Sequence, residues 1–226
     1  MKGKLRLLVG LSLTFCLMLL ASCTQEVYEK GESDLSLLQA DYVEVHVAAD
    51  GKIDYVVTDE GEQLYLTQPV AKEWTMVPNT FYRALLYYNK VEGKAQVVSI
   101  SQVSTLLLTA SSELVEGVKE DPVELESVWT DKRNRYLTLS LRLKTGKIDD
   151  GADGQHLAVC YDRMTKDADG RVTYHLRLYH DQGDVPQFYS SRYLLSVPLF
   201  IYEVDSIQLT LQTYAGPVTK KFRVSP

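Results

Sequence analysis

Cysteine is scarce in this 226-residue chain, which holds only Cys16, Cys23 and Cys160. Cys16 lies inside an N-terminal apolar run, and Cys23 sits at that run's end. Cys160 is left without an intramolecular partner, so the fold must be held by its cores and not by disulfides. Basic residues are also short, 24 against 30 acidic, for a net charge of -6. Without residues 1–22 the balance is 21 basic against 30 acidic, or -9. Such a surface repels phosphate backbones and gives no polybasic grip on anionic lipid, so nucleic acid is not an expected partner. Catalytic signatures are missing too. There is no Gly-x-Ser-x-Gly elbow, no P-loop and no metalloprotease helix, and no two of the four histidines (His46, His156, His175, His180) have zinc spacing.

Long apolar runs are equally lacking, with one short exception. Met1–Arg6 is basic, and Leu7–Leu20 is a continuous apolar run of fourteen residues. As a helix it would span about 21 Å, short of the ~30 Å hydrocarbon core, which suits a signal-peptide core. The small residues Ala21 and Ser22 precede Cys23, and Leu20-Ala21-Ser22-Cys23 resembles the bacterial lipobox. The alternative is a cysteine that merely lies near an ordinary cleavage site. The lipobox is preferred because the basic, apolar and small-residue zones fall in register. Cys23 is therefore the expected lipid-attachment residue, and residues 1–22 the signal peptide. Several acyl chains hold a protein on a bilayer without any help from charge. Residues 23–38, with Glu26, Glu29, Glu32 and Asp34, read as an acidic tether.

What the rest of the chain has is period-2 alternation and tyrosine, 15 Tyr against 5 Phe and 2 Trp. Tyrosine favours strands, where one ring face packs and the hydroxyl reaches water. Val43, Val45 and Val47 alternate with Glu44 and His46, and Asp50-Gly51 supplies a hairpin turn. Ile53, Tyr55 and Val57 are expected to continue the apolar face. Gln63–Thr67, Phe81–Asn89 and Ala95–Leu108 follow, with Pro69 and Pro78 delimiting a loop. Five short strands within residues 39–110 predict a small OB-like barrel. Residues 111–122 read as a linker with one helical turn capped by Ser112. In residues 123–226 the alternation sharpens: Leu137, Leu139, Leu141 and Leu143, then Val172, Tyr174, Leu176 and Leu178, then Ile207, Leu209 and Leu211, then Phe222 and Val224. These predict a β-sandwich. The expected fold is all-β, a small N-terminal barrel followed by a sandwich.

Certain stretches carry a family likeness. They are the hairpin at Asp50-Gly51, Val128-Trp129, Tyr136–Leu139, His156-Leu157, Leu176–Asp181, and Gly183-Asp184 before an aromatic segment. In these the chain resembles the NigD-like lipoproteins of Bacteroidales, more in its C-terminal than in its N-terminal half. The resemblance implies a lipobox, an OB-like domain, a C-terminal β-sandwich and an outer-membrane lipoprotein. It supplies no catalytic residues.

Two acidic turns, Asp149–Gly154 and Asp167–Gly170, fail the calcium-loop pattern, because the twelfth position is Cys160 in one register and Leu176 in the other. They are expected as solvated hairpin turns, with opportunistic Ca²⁺ as the alternative. No metal, cofactor or catalytic residue is assigned. His180-Asp181 is the best polar pair, read as a strand end beside a turn carboxylate. Cys160 is read as a buried thiol, and Trp74 and Trp129 as joining the domains. Tyr88, of the pair Tyr87-Tyr88, together with Phe188, Tyr189 and Tyr193 form the candidate ligand-binding set, against the alternative of ordinary packing. The function expected is a non-catalytic binding module on the envelope, reaching the membrane through its lipid and binding an envelope protein, a glycan or a bacteriocin-like toxin. The alternatives are an envelope hydrolase using carboxylate or His chemistry, and a purely structural lipoprotein.

Overall fold

The computed structural model describes residues 37–114 and 116–224, so the expected signal peptide, Cys23 and nearly all of the tether lie outside the described residues. The five strands β1 (Gln39–Val47), β2 (Lys52–Thr58), β3 (Gln63–Ala71), β4 (Thr80–Val91) and β5 (Lys94–Gln102) close into a barrel in the order β1-β2-β3-β5-β4. That is the expected OB-like arrangement. Gly51, with φ +80°, makes the β1–β2 turn. Alternation then fills the interior: Val43, Val45 and Val47 are fully buried with Ile53, Val56, Ala84 and Leu86.

Within the barrel strands, two details depart from the sequence reading. β2 carries a bulge between Ile53 and Tyr55, where its register against β3 shifts. One extra residue inverts the alternation beyond it, so Val56 points inward and Tyr55 outward. Ile53 and Tyr55 therefore do not share a face. Pro69 does not end β3, which runs on to Ala71. The proline lies between Tyr65 and Val70, past the β5 pairing at Leu66, where a missing N–H breaks no ladder.

The sandwich is built from β6 (Ser104–Thr105), β7 (Leu108–Ala110), β8 (Glu124–Thr130), β9 (Tyr136–Thr145), β10 (His156–Lys166), β11 (Val172–Asp181), β12 (Tyr189–Pro198), β13 (Ser206–Thr213) and β14 (Gly216–Arg223). One sheet runs β14-β13-β11-β10-β7 and the other β6-β12-β9-β8. β6 pairs with β12 and β7 with β10, so residues 104–110 belong to the sandwich, and the barrel ends at Gln102 and not at Ala110. Between the sheets lie Leu137, Leu139, Leu141 and Leu143 against Leu176, Leu178, Leu209 and Leu211. Each such side chain contributes ~1.5–3 kcal/mol by leaving water.

The presumed linker is tied down. Ser111–Glu113 forms a single 3-10 turn with no side-chain cap, so Ser112 does not cap it. Glu120 bridges to His180, and Val123 to Thr213. Lys119 Nζ lies 2.7 Å from the Asp181 carboxylate.

Candidate functional site

The barrel rests on the outer face of the four-stranded sheet, and the contact between them is ionic. Glu44, on β1, is only 3% exposed, because it points across to the sandwich. It accepts hydrogen bonds from Arg135 (2.8 and 3.0 Å), Arg133 (2.7 Å) and the Tyr136 hydroxyl (3.0 Å). Burial pushes the Glu44 carboxyl up, but the hydrogen bonds from Arg135 and Arg133 outweigh it and hold the carboxyl below its ordinary value. On β4, the fully buried Arg83 makes a two-pronged bond to Asp59 (2.5 and 2.7 Å) while its guanidinium carbon lies 4.5 Å from the Tyr136 ring centre. Asp131 shapes the β8–β9 turn by accepting from the backbone N–H groups of Arg135 and Tyr136. Trp129 meets Tyr42 edge-on at 5.2 Å, which joins the two domains as expected for that tryptophan. Trp74 instead packs on Tyr82 inside the barrel unit.

Glu44 and Asp59 are neutralised by arginine, and Asp131 is spent on the turn. No group of three or more His, Cys, Asp or Glu side chains gathers to hold a metal among the described residues. His180 is wholly buried, with Nδ1 2.9 Å from the Asp121 carbonyl oxygen, and Asp181 turns to Lys119. The pair does not form a dyad. Asp167 folds its own turn by accepting from the N–H groups of Asp169 and Arg171. Cys160 is buried, which pushes its thiol pKa up.

Immediately beside the joint, the outward positions of four neighbouring strands carry rings. Tyr65 on β3 pairs across to Tyr55 on β2, Tyr55 to His46 on β1, and His46 to Phe81 on β4. Their centroids stand 5.6, 4.5 and 5.2 Å apart in that order. His46 and Tyr55 stack at 16° between planes, and Asp54 fixes the imidazole through a 2.7 Å bond to Nδ1. The end rings are open to solvent, Tyr65 57% and Phe81 47% exposed. Each ring contact contributes about 0.5–1.5 kcal/mol beyond burial, which makes the row a preformed apolar strip on the barrel wall. The β2 bulge creates it by turning Tyr55 outward.

The sequence-derived binding set is distributed differently. Tyr88 is 2% exposed and donates to Asp41 at 2.8 Å inside the barrel, so it cannot stack on a ligand; its neighbour Tyr87 is the one facing out. Tyr193 packs against the sandwich core. Phe188 and Tyr189 are exposed at one end of β12, and no ring contact joins them to each other among the described residues. The four therefore do not form one surface. His46, Tyr55, Tyr65 and Phe81 were missed because no two are close in sequence. The available signal was the parity of Tyr65 between buried Leu64 and Leu66, and of His46 between Val45 and Val47.

The sequence pattern defining the NigD-like C-terminal beta sandwich domain matches residues 107–223, more than half of the chain. The chain belongs to the NigD-like family. Among solved structures, a NigD-like immunity protein from Bacteroides caccae is similar, at 22% identity and a TM-score of 0.64, over 82% of this chain and 96% of that one. A candidate toxin-related protein from Parabacteroides distasonis aligns at 16% identity and a TM-score of 0.64, over 83% and 93%. A candidate lipoprotein from Bacteroides fragilis aligns at 13% identity and a TM-score of 0.55, over 82% and 96%. At these identities the likeness is one of fold. No curated protein matches the chain. Among the described residues no helix is long and apolar enough to cross a membrane.

Proposed function

We propose that this NigD-like protein is an outer-membrane lipoprotein, anchored through Cys23, that acts without catalysis as a docking module for another protein. The observation that carries the docking role is the row Tyr65–Tyr55–His46–Phe81. Its inner rings spend their facing sides on each other at 4.5 Å, and its end rings, Tyr65 and Phe81, stand open to solvent. A sugar stacks on a free ring face, and stacking has taken up the facing sides of the two inner rings, so the row suits a protein partner better than a glycan. Rigid aromatic side chains lose little entropy on binding, which is why they dominate the energetic centres of interfaces. That similar folds are described as an immunity protein and as toxin-related supports a partner in the bacteriocin class.

The test places a photo-crosslinking residue at position 65 in the full chain, in cells. A discrete adduct in the envelope fraction is expected, absent when Phe81 is changed to Ser, and absent with the crosslinker at the distant exposed Tyr214. Adducts of equal yield at both positions would overturn the reading. Mass spectrometry of the mature N-terminus tests the anchor independently, with an acylated Cys23 expected.

A further inference from the structure

The two sheets of the sandwich are treated differently by the rest of the molecule. The outer face of the four-stranded sheet is covered by the barrel around Thr138 and Ser196, which are fully buried. The outer face of the five-stranded sheet carries instead an open groove of about 500 Å³, continued by a second hollow of about 230 Å³ that shares His175 and Gln208 with it.

Strand register explains its lining. One cross-strand row runs Thr165, Thr173, Ser206, Arg223 over β10, β11, β13 and β14. The next runs Arg163, His175, Gln208, Lys221 over the same strands. The floor is thus made of hydroxyl, amide and imidazole groups, and the walls of cations: Arg163 on one side, Lys221 and Arg223 on the other. With strands about 4.8 Å apart, the walls stand roughly 14 Å from each other. Both carboxylates lining the hollow, Asp162 and Glu120, are taken up by Arg177. Arg163, Lys221 and Arg223 have no carboxylate partner among the described residues. On a chain of net charge -6, three unpaired cations gathered around one groove are an exception to the prevailing charge.

From this arrangement we infer that the groove is a binding site for an acidic saccharide, a sugar chain bearing carboxylate or phosphate groups. The floor offers donors and acceptors matched to sugar hydroxyls, and the walls offer charge to the anionic substituents on either side. His175 is part of the floor and is held at 3.0 Å from the Thr165 hydroxyl. Burial and the nearby Arg163 lower its pKa, so at neutral pH it can accept as well as donate.

The test is calorimetric titration of the full chain in detergent with four probes: oligogalacturonate, phosphorylated oligomannose, neutral dextran oligosaccharide and oligoglutamate. Binding is expected for one or both acidic sugars, weakening as salt is raised, with none for dextran. The first two probes tell carboxylate from phosphate as the anionic group. Lys221→Gln and Arg223→Gln should each weaken binding about tenfold, and Arg163→Gln likewise, since each removes a charge-assisted contact. The changes lie on a solvated face, so the urea midpoint should not move; each single variant is read separately, so the loss of one by misfolding leaves the others informative. The pair Tyr65→Ser and Phe81→Ser should leave saccharide binding unchanged, which separates this site from the barrel surface. Absence of binding to both acidic sugars, binding of oligoglutamate at equal strength, or affinity indifferent to the three cations would overturn the assignment.

Discussion

Glu44 of the barrel and Arg135 of the sandwich share two hydrogen bonds, 2.8 and 3.0 Å long, across the joint between the two domains. The carboxylate is nearly sealed from water there, so its neutralisation by Arg135 and Arg133 is a condition of burying it at all.

Removing that charge should loosen the joint. Glu44→Gln leaves Arg135 without its carboxylate partner and Arg133 with only Asp131, 3.8 Å away, and should cost about 2 kcal/mol at pH 7, since the two guanidinium groups keep some access to water. Urea unfolding followed by the fluorescence of Trp129, which lies in the joint, measures it.

Acid should do the same in the native protein. The folded Glu44 carboxyl lies below its unfolded value of about 4.5, so its stabilisation is complete above that pH and is lost as pH falls through the folded value. The wild type should therefore show an acid limb below pH about 4.5, and Glu44→Gln should flatten it. A limb of equal slope in both would mean that other carboxylates set it.

Arg83→Met tests the second ion pair. Asp59 would be stranded beside the buried edge of the joint, at a cost of ~3 kcal/mol, whereas Arg83→Met combined with Asp59→Leu should recover most of the loss, because apolar replacement of a buried pair is often neutral. A double-mutant cycle in urea gives the coupling.

The sandwich core should be more sensitive than the ring row. Leu139→Ala opens a cavity at a fully buried position and should cost ~2–5 kcal/mol. Phe81→Ser, at an exposed one, should change stability by less than about 1 kcal/mol while losing the adduct formed from position 65.

Cys160 should stay unreactive in the folded protein. Its buried thiol has a raised pKa, so the thiolate that attacks an alkylating agent is scarce. Peptide mapping after iodoacetamide should find Cys160 modified only when urea is present.

Alternation made most of this architecture readable. Val43, Val45 and Val47 point inward as their spacing requires, and the four leucines of β9 do so as well. The barrel order and the sandwich follow from strand number and turn placement. What alternation cannot carry is an inserted residue. The bulge after Ile53 shifts parity within β2, and it sends Tyr55 to the wall where the ring row forms. Nor can it say which polar residues are buried: Glu44, Arg83 and Thr138 each stand beside apolar neighbours, the pattern of a solvent-facing position, yet the other domain covers them. Tyr88 shows the converse error, a tyrosine chosen for exposure whose hydroxyl is satisfied internally by Asp41.

The hydroxyls of Thr138 and Ser196, 3.0 Å apart beneath the barrel, have one further effect. Were the joint to open, this part of the sandwich would meet water with groups that water solvates readily, while its leucine layer stayed shut inside. Separation of the halves would thus uncover little adhesive surface at that spot, and re-closure would compete with hydration more than with aggregation.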